Sequence, residues 1–312
     1  MPRDILIDCD AGIDDALAIM LALGSKEVRI RAITTVAGNV EVEKTSENAL
    51  KVLEAFSVSD VPVARGHARP LRRELYTAAY VHGSDGLGDS SLPRPRLRLD
   101  GRHAVDVIID EAENGDLHLV CTGPLTNLAS ALAKAPYLTE RLLDVTVMGG
   151  AFGLTPYGFG NVTPVSEFNV YVDPEAAKIV FASGLRMALV GLDVTADPTA
   201  MLTKAKYDEL VGLPSHGAKF LRRISESLVK SWGCFSLHDP MAVAYAVDPT
   251  MLTVKKYPVD VETEGSIARG QTIADRRQWR EVVEFKGEAN VAVSVDGPRF
   301  LRMFEERAIR GL

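Results

Sequence analysis

The chain has 312 residues, of which 46% are hydrophobic and 25% are charged, and its formal net charge is −7. These fractions exclude a disordered, collagen-like or coiled-coil protein, and no apolar run approaches the roughly 20 residues of a membrane helix. The acidic balance and the lack of a long basic cluster argue against nucleic acid as a partner.

Short apolar strands alternate with segments of helical period along the whole chain. The pattern predicts strands at residues 5–9, 30–36, 61–64, 117–122, 145–148, 187–192 and 290–295, and helices at 15–23, 42–56, 103–114, 125–134, 174–183 and 219–231. Because apolar strands separated by helices are typical of parallel sheets, we predict an α/β fold. It would be a single open, mostly parallel, Rossmann-like sheet with helices on both faces. Residues 1–312 contain no linker or repeat and are predicted to form one domain.

Two stretches interrupt the alternation of strands and helices. Residues 66–98 contain a His-Gly-Ser-Asp-Gly-Leu-Gly run, and residues 149–169 are rich in glycine, proline and aromatic side chains. Long irregular loops in an α/β domain are more often functional than idle. We expect both loops to project near the carboxyl ends of the strands, where open sheets bind ligands.

A cluster of acidic residues follows the first strand. Four carboxylates fall within eight residues: Asp8, Asp10, Asp14 and Asp15. Capping of the next helix accounts for one or two of them, but close carboxylates repel one another unless a proton or a cation intervenes. Oxygen donors without a Cys–His pattern favour a hard cation, Ca²⁺ or Mg²⁺. Gly12 would permit the tight turn that folds Asp10 back towards Asp14 and Asp15.

The acidic segment also carries a family resemblance. Residues 8–16 resemble the amino-terminal DxDxGxDDA motif of the nucleoside hydrolases, the inosine–uridine-preferring N-ribohydrolases. Further segments resemble the family in its own order: residues 36–39, 82–88, 122–127, 160–161, 167–169, 173–176, 238–240 and 270–272. The resemblance implies the nucleoside hydrolase fold and Ca²⁺-dependent hydrolysis of the N-glycosidic bond of ribonucleosides, which yields a free purine or pyrimidine base and ribose.

The resemblance also implies a role for individual residues. The Ca²⁺ ligands would be Asp10, Asp15, Asp239 and the main-chain carbonyl of Thr122. Asp10 would also be the general base that activates water, and His238 would be the candidate general acid. The remaining substrate-binding residues would be Asp14, Asn39, Asn161, Glu167, Asn169 and Asp239 at the ribose, with His82 and Phe168 lining the same pocket. An anion-rich pocket suits this reaction, because its transition state resembles a ribosyl cation.

Ordinary structural roles compete with several of these assignments. Asn39 could cap the helix predicted at residue 42, and Asn161 could serve only a glycine-rich turn. Glu167 and Asn169 would share one face of an extended segment. Asp239 could cap a helix that begins at the next residue.

One charged helix face and four aromatic residues bear on how the pocket would bind a base. Arg222, Glu226 and Lys230 are spaced four apart, which favours a solvated, ion-paired helix face over a pocket wall that would alter base preference. The aromatic residues available for stacking on a base are Tyr80, Phe168, Trp232 and Phe235.

Two other functions compete with the nucleoside hydrolase assignment. A phosphatase of the haloacid dehalogenase type also begins with a strand and DxD, but it needs Thr or Val where this chain has Gly12. A non-catalytic nucleoside- or ribose-binding homologue is disfavoured because Asp10 and His238 are both present.

Cellular location and assembly are expectations of a different kind. The three scattered cysteines and an N-terminus that leads directly into Ile5 predict a reducing cytoplasm without a signal peptide. Cys9, between two aspartates, is expected to be a buried apolar residue. The family resemblance implies a homodimer or homotetramer.

Overall fold

The strands form one large sheet and one small ribbon in a computed structural model that describes residues 2–278 and 283–312. The large sheet contains β1 (Arg3–Cys9), β2 (Val28–Thr35), β3 (Val63–Arg65), β4 (Leu117–Cys121), β5 (Leu142–Met148), β6 (Met187–Val190), β9 (Leu252–Val261), β10 (Thr272–Ala274) and β11 (Gly287–Val295). The ribbon pairs β7 (Leu202–Thr203) with β8 (Cys234–Phe235).

The described residues also form helices on both faces of the large sheet. They are α1 (Ile13–Leu23), α2 (Val42–Ala55), α3 (Ala79–His82), α4 (Ala104–Glu113), α5 (Thr126–Lys134), α6 (Leu138–Arg141), α7 (Phe168–Val172), α8 (Pro174–Phe181), α9 (Leu192–Thr195), α10 (Lys204–Val211), α11 (His216–Trp232), α12 (His238–Val247) and α13 (Gly297–Phe304). None of these helices combines the length and the apolar character that crossing a membrane requires.

The strand order of the large sheet is β10-β9-β11-β6-β5-β4-β1-β2-β3. Seven neighbouring strands, from β3 to β11, run parallel, and only β9 and β10 are antiparallel to their neighbours. The prediction of an open, mostly parallel α/β sheet is therefore confirmed. The order reverses between β1 and β4, which creates a switch point of the kind where doubly wound sheets bind ligands.

Alternation along the strands places two apolar cores on opposite faces of the sheet. In β1, Ile5, Ile7 and Cys9 join the core beneath α1, α2, α11 and α12, whereas Leu6 joins the core beneath α4, α5 and α8. Cys9 is fully buried, as predicted. Because both faces are covered, the strands carry the long apolar runs that made them recognisable in the sequence.

The antiparallel strands β9 and β10 are absent from the strands predicted above. Lys255 and Lys256 interrupt the apolar pattern of β9. The strand also contains Pro258, and proline within a segment usually argues against a strand. The predicted strand at 187–192 is also too long, because the chain turns into α9 after Val190.

His118 on β4 predicts how stability depends on pH. Its Nε2 lies 2.8 Å from Thr146 Oγ1, and the ring is buried, so desolvation and the nearby Arg3 and Arg186 lower its pKa to about 3. The unfolded chain therefore binds more protons than the folded chain between about pH 6.5 and pH 3. We expect His118 to reduce the free energy of unfolding by about 1.4 kcal/mol for each pH unit below pH 6.

The test compares His118→Gln with the unmodified chain by denaturant unfolding between pH 7 and pH 4.5. Glutamine remains neutral at every pH in this range, so the variant should lose less stability than the unmodified chain as the pH falls. Parallel pH curves for the two proteins would contradict the assignment.

Candidate active site

Polar residues collect at the carboxyl edge of the sheet, around the switch point between β1 and β4. They enclose a cavity of about 380 Å³. Among the described residues, its lining includes Asp10, Asp14, Asn39, Tyr80, His82, Thr122, Met148, Asn161, Glu167, Phe168, Asn169, Met201, Leu228, Trp232, Phe235, His238 and Asp239. Of the residues assigned to the site from the sequence, only Asp15 is not part of the wall, because it lies directly behind it.

Asp10 is the first residue after β1, and its carboxylate is held from one side only. Oδ2 accepts a hydrogen bond from the Asn39 main-chain N–H at 2.7 Å. Oδ1 is buried and has no hydrogen-bond partner in the part of the chain that the structure describes. Desolvation and repulsion from Asp15 raise the pKa of Asp10 well above its ordinary value. A buried, unsatisfied carboxylate oxygen is costly, and a cation or a donor water would satisfy it.

Asp15 lies one turn into α1 and accepts three hydrogen bonds. The donors are the Gly12 main-chain N–H at 2.8 Å, Asn39 Nδ2 at 3.2 Å and Thr122 Oγ1 at 2.7 Å. The Gly12 contact closes the first turn of the helix, so the capping interpretation is correct for this residue. Burial and repulsion from Asp14 nevertheless raise the pKa of Asp15 to about 7.

Three carboxylates approach one another closely enough to share one ion. Asp14, Asp15 and Asp239 each offer an oxygen atom within 4.8 Å of the others. Burial and repulsion from Asp14 raise the pKa of Asp239 well above the ordinary range. Helix α12 begins at His238 after Leu237, so the alternative in which Asp239 caps this helix is wrong. A cation would offset the repulsion that otherwise destabilises this group of charges.

Gly12 and Gly38 allow parts of the site to approach the backbone closely. A Cβ atom at Gly12 would lie 2.6 Å from Asn39 Nδ2 and 2.7 Å from His82 Nδ1, and one at Gly38 would lie 2.0 Å from Asp10 Oδ2. Gly12 has an extended backbone with φ of −92°, which any residue adopts. The requirement for glycine at position 12 is therefore steric, and not the special turn expected from the sequence.

Asn39 connects two aspartates from the loop after β2. Its main chain donates to Asp10 and its side-chain amide donates to Asp15. Helix α2 follows Glu41 and receives no side-chain cap, so the alternative in which Asn39 caps α2 is wrong.

Glu167 and Asn169 lie at the start of the short helix α7, not on the extended segment expected from the sequence. The Glu167 carboxylate accepts from the main-chain N–H groups of Gly150, Asn169 and Val170 at 2.8–3.2 Å. Asn169 Nδ2 donates to the main-chain oxygen of Thr122 at 2.8 Å and to that of Met148 at 3.2 Å. Both side chains are therefore oriented at the pocket wall by the backbone that follows β4 and β5.

The two pocket histidines have different partners. His82 Nδ1 accepts from the Ile13 main-chain N–H at 3.1 Å, so the neutral ring carries its hydrogen on Nε2. Desolvation lowers the pKa of His82, with Asp14 opposing this effect. His238 Nδ1 lies 2.7 Å from Thr195 Oγ1, a hydroxyl that donates or accepts.

Aromatic side chains form part of the cavity wall. Phe168 and Phe235 are buried, whereas Tyr80 and Trp232 are 62% and 64% exposed. Asn161 is exposed in the wall, and its main-chain N–H also closes a turn onto Ser166. All four residues named for stacking therefore line the same cavity.

The charged face of α11 points away from this pocket. Glu226 lies 3.9 Å from Arg222 and 3.2 Å from Lys230, and all three side chains are exposed. Leu228 and Trp232 of the same helix line the cavity instead. The solvated-face interpretation is confirmed.

Sequence reasoning missed the helix α9, which contacts the site from behind. Its Asp193 carboxylate accepts from the main-chain N–H groups of Phe152 and Leu154 at 2.7 and 2.6 Å, and its Thr195 contacts His238. Asp193 and Thr195 could have indicated this role, because they follow the strand predicted at 187–192 at the edge of the sheet where ligands bind.

Comparison with known proteins relates this geometry to one family. The sequence model described as "Inosine-uridine preferring nucleoside hydrolase" matches residues 5–302. The chain is 41% identical over 311 residues to the inosine-uridine preferring nucleoside hydrolase of Leishmania major, covering 96% of this chain and 95% of that one. It is 38% identical to the pyrimidine-specific ribonucleoside hydrolase RihA of Shigella boydii, with 98% of both chains covered. A plant nucleoside hydrolase structure superposes with a TM-score of 0.93, 33% identity and 99% coverage of both chains.

Proposed function

Since the chain belongs to the inosine-uridine preferring nucleoside hydrolase family and is an N-glycosyl hydrolase of ribonucleosides, we propose how it cleaves its substrate. The proposed mechanism depends on Ca²⁺ and uses Asp10 as the general base. The observation that carries the proposal is the Asp10 carboxylate, which belongs to a residue of the cavity wall and whose buried Oδ1 atom lacks a hydrogen-bond partner among the described residues. A carboxylate that faces a pocket with one free oxygen can accept a proton from water.

The donor set fits a hard divalent cation. Asp10, Asp15, Asp239 and the main-chain carbonyl of Thr122 would hold it, and all four donors are oxygen atoms, which suits Ca²⁺. When bound, Ca²⁺ would offset the repulsion among the carboxylates and increase the acidity of water at the site. Asp15 and Asp239 belong to the three-carboxylate cluster, whose third member is Asp14, and the raised pKa values of Asp10, Asp15 and Asp239 also support a cation here.

The remaining polar residues of the wall would bind ribose. Asp14, Asn39, Asn161, Glu167, Asn169 and Asp239 offer the carboxylate and amide groups that pair with hydroxyls, which both donate and accept. The backbone donors to Glu167 keep its carboxylate oriented before substrate arrives. The same negative charges would stabilise the positive charge that develops on the ribose ring as the base departs.

The two histidines would act at the base. His82 would donate a hydrogen bond through Nε2, because the Ile13 N–H occupies Nδ1. His238 would supply the proton to the departing base, because a hydroxyl partner on Nδ1 is compatible with a ring that gains or loses a proton. Tyr80, Phe168 and Trp232 would stack on the base.

We expect free base from a ribonucleoside panel and far less from the corresponding 5′-monophosphates. The cavity lining drawn from the described residues contains four carboxylates and no lysine or arginine, so no basic side chain of this lining would offset the charge of a phosphate. Repulsion from the carboxylates is worth several kcal/mol, and kcat/KM for the monophosphates should be lower by about 100-fold or more. Chromatography of released base, with Ca²⁺ and with a chelator, measures both quantities.

Two results would count against the proposal. No base from any of adenosine, guanosine, inosine, cytidine and uridine in Ca²⁺ would overturn the hydrolase mechanism. Equal rates on uridine and its 5′-monophosphate would show that the phosphate avoids the carboxylates.

We further propose a single domain in a cytoplasmic homodimer or homotetramer. The nine strands of the large sheet, which carry both apolar cores, come from β1 to β11 and so draw on nearly the whole chain. The three cysteines are free, which suits a reducing compartment. The assembly state rests on the family resemblance.

A further inference from the structure

We propose that Thr195 is the positioning residue that holds His238 in the orientation needed to protonate the departing base. The proposal rests on the proposed function, since it assigns a partner to the acid of that reaction. Its direct observation is the distance of 2.7 Å between Thr195 Oγ1 and His238 Nδ1. Thr195 is fully buried and is not part of the cavity lining, so it acts through the histidine and not on the substrate.

Several hydrogen bonds hold helix α9, which carries Thr195, in place. Helix α9 begins with a hydrogen bond from the Leu192 N–H to the Gly150 oxygen at 2.8 Å. The Asp193 carboxylate accepts from the N–H groups of Phe152 and Leu154, and Thr155 Oγ1 donates to the Asp193 main-chain oxygen at 2.7 Å. These contacts fix the position of the Thr195 hydroxyl relative to the pocket loop at residues 149–158.

The histidine depends on this hydroxyl for its orientation. His238 is the first residue of α12, so the helix fixes its main chain but leaves its ring free to rotate. The described residues provide one hydrogen bond to the ring, between Thr195 Oγ1 and Nδ1, which leaves Nε2 for the substrate. A threonine hydroxyl donates or accepts, so this contact persists in either tautomer.

The contrast with His82 makes the role specific. A main-chain N–H can only donate, so the Ile13 contact keeps His82 Nδ1 without a proton. Of the two histidines in the described part of the cavity wall, only His238 has a partner that can form a hydrogen bond with Nδ1 whether or not this nitrogen carries a proton. The Thr195 hydroxyl therefore suits His238 to transfer a proton, whereas the Ile13 N–H limits His82 to donating a hydrogen bond.

Thr195→Val tests this inference, because valine keeps the shape of the side chain and removes only the hydroxyl. On nucleosides we expect kcat to fall by about 10- to 100-fold, because the general acid would lose part of its contribution to the rate. We expect KM to stay within about three-fold of the value for the unmodified enzyme. On 4-nitrophenyl riboside, whose leaving group departs as an anion without a proton, we expect a loss of less than about three-fold. Thr195→Ser should restore most of the nucleoside activity.

Two further variants separate positioning from general structural damage. Thr155→Val removes one of several hydrogen bonds that hold α9 and leaves the Thr195 hydroxyl in place, so its loss on nucleosides should be smaller than that of Thr195→Val. In a His238→Ala background, Thr195→Val should cause no additional loss, since the two residues act in one step.

Several outcomes would overturn the inference. One is a Thr195→Val enzyme that matches the unmodified enzyme on nucleosides, and another is equal loss on both substrates, which would indicate a structural role. An additive loss in the double variant would also contradict it. In each case base release by the unmodified enzyme leaves the proposed function standing. An unmodified enzyme that releases no base overturns both.

Discussion

Asp10→Asn is expected to lower kcat on nucleosides by about 10³-fold or more. The substitution keeps an oxygen for the Asn39 N–H but replaces the unpartnered Oδ1 side of the carboxylate with a group that cannot accept a proton. It also removes one buried negative charge from the cluster around Asp15, so the thermal stability of the metal-free protein should not fall. Initial rates of base release and a thermal melt measure the two effects.

Asp8→Asn provides a matched control two residues away. Asp8 is also a buried carboxylate with one unpartnered oxygen, and Thr34 and Asn127 donate to the other oxygen. Because Asp8 does not line the cavity, its variant should retain activity within about ten-fold. An Asp10→Asn enzyme as active as Asp8→Asn would contradict the assignment of Asp10 as base.

Removing divalent cations is expected to abolish turnover, with a loss of about 10³-fold that added Ca²⁺ reverses. The same cation should stabilise the folded chain, because it binds carboxylates that otherwise repel one another. At a concentration 100 times its Kd, the gain in the free energy of unfolding would be about 2.7 kcal/mol. Rates and melting temperatures are measured after dialysis against a chelator and again after titration with Ca²⁺.

Asp239→Asn tests whether this cation effect belongs to the proposed site. The variant removes one member of the three-carboxylate cluster, so it should need far more Ca²⁺ for the same stabilisation. Full activity in excess chelator, or an unchanged Ca²⁺ requirement in Asp239→Asn, would refute the site.

Much of the site could be predicted because it follows directly from parallel strands. Asp10 follows β1, Asn39 follows β2 and Thr122 follows β4, and parallel strands present their carboxyl ends at one edge. The apolar runs that identify these strands arise from burial on both faces of the sheet. The family resemblance added His238 and Asp239, which no local pattern connects to that edge.

The details that were missed depend on short helices and on contacts between distant segments. Helix α7 has five residues and α9 has four, which is too short for a helical period to appear in the sequence. The backbone donors to Glu167 and the contact between Thr195 and His238 were therefore not predictable. Likewise, the steric requirement at Gly12 depends on where Asn39 and His82 lie in space.

The proposed cation site at the switch point between β1 and β4 would also change the kinetics of unfolding. Its proposed cation ligands come from the turn after β1 and from α1, from the middle of the chain at Thr122 and from α12, so the complete set exists only when distant segments have assembled. A cation held there would stabilise the native state more than partly folded states. Its binding energy would therefore slow unfolding instead of accelerating folding, which would give the loaded enzyme kinetic stability.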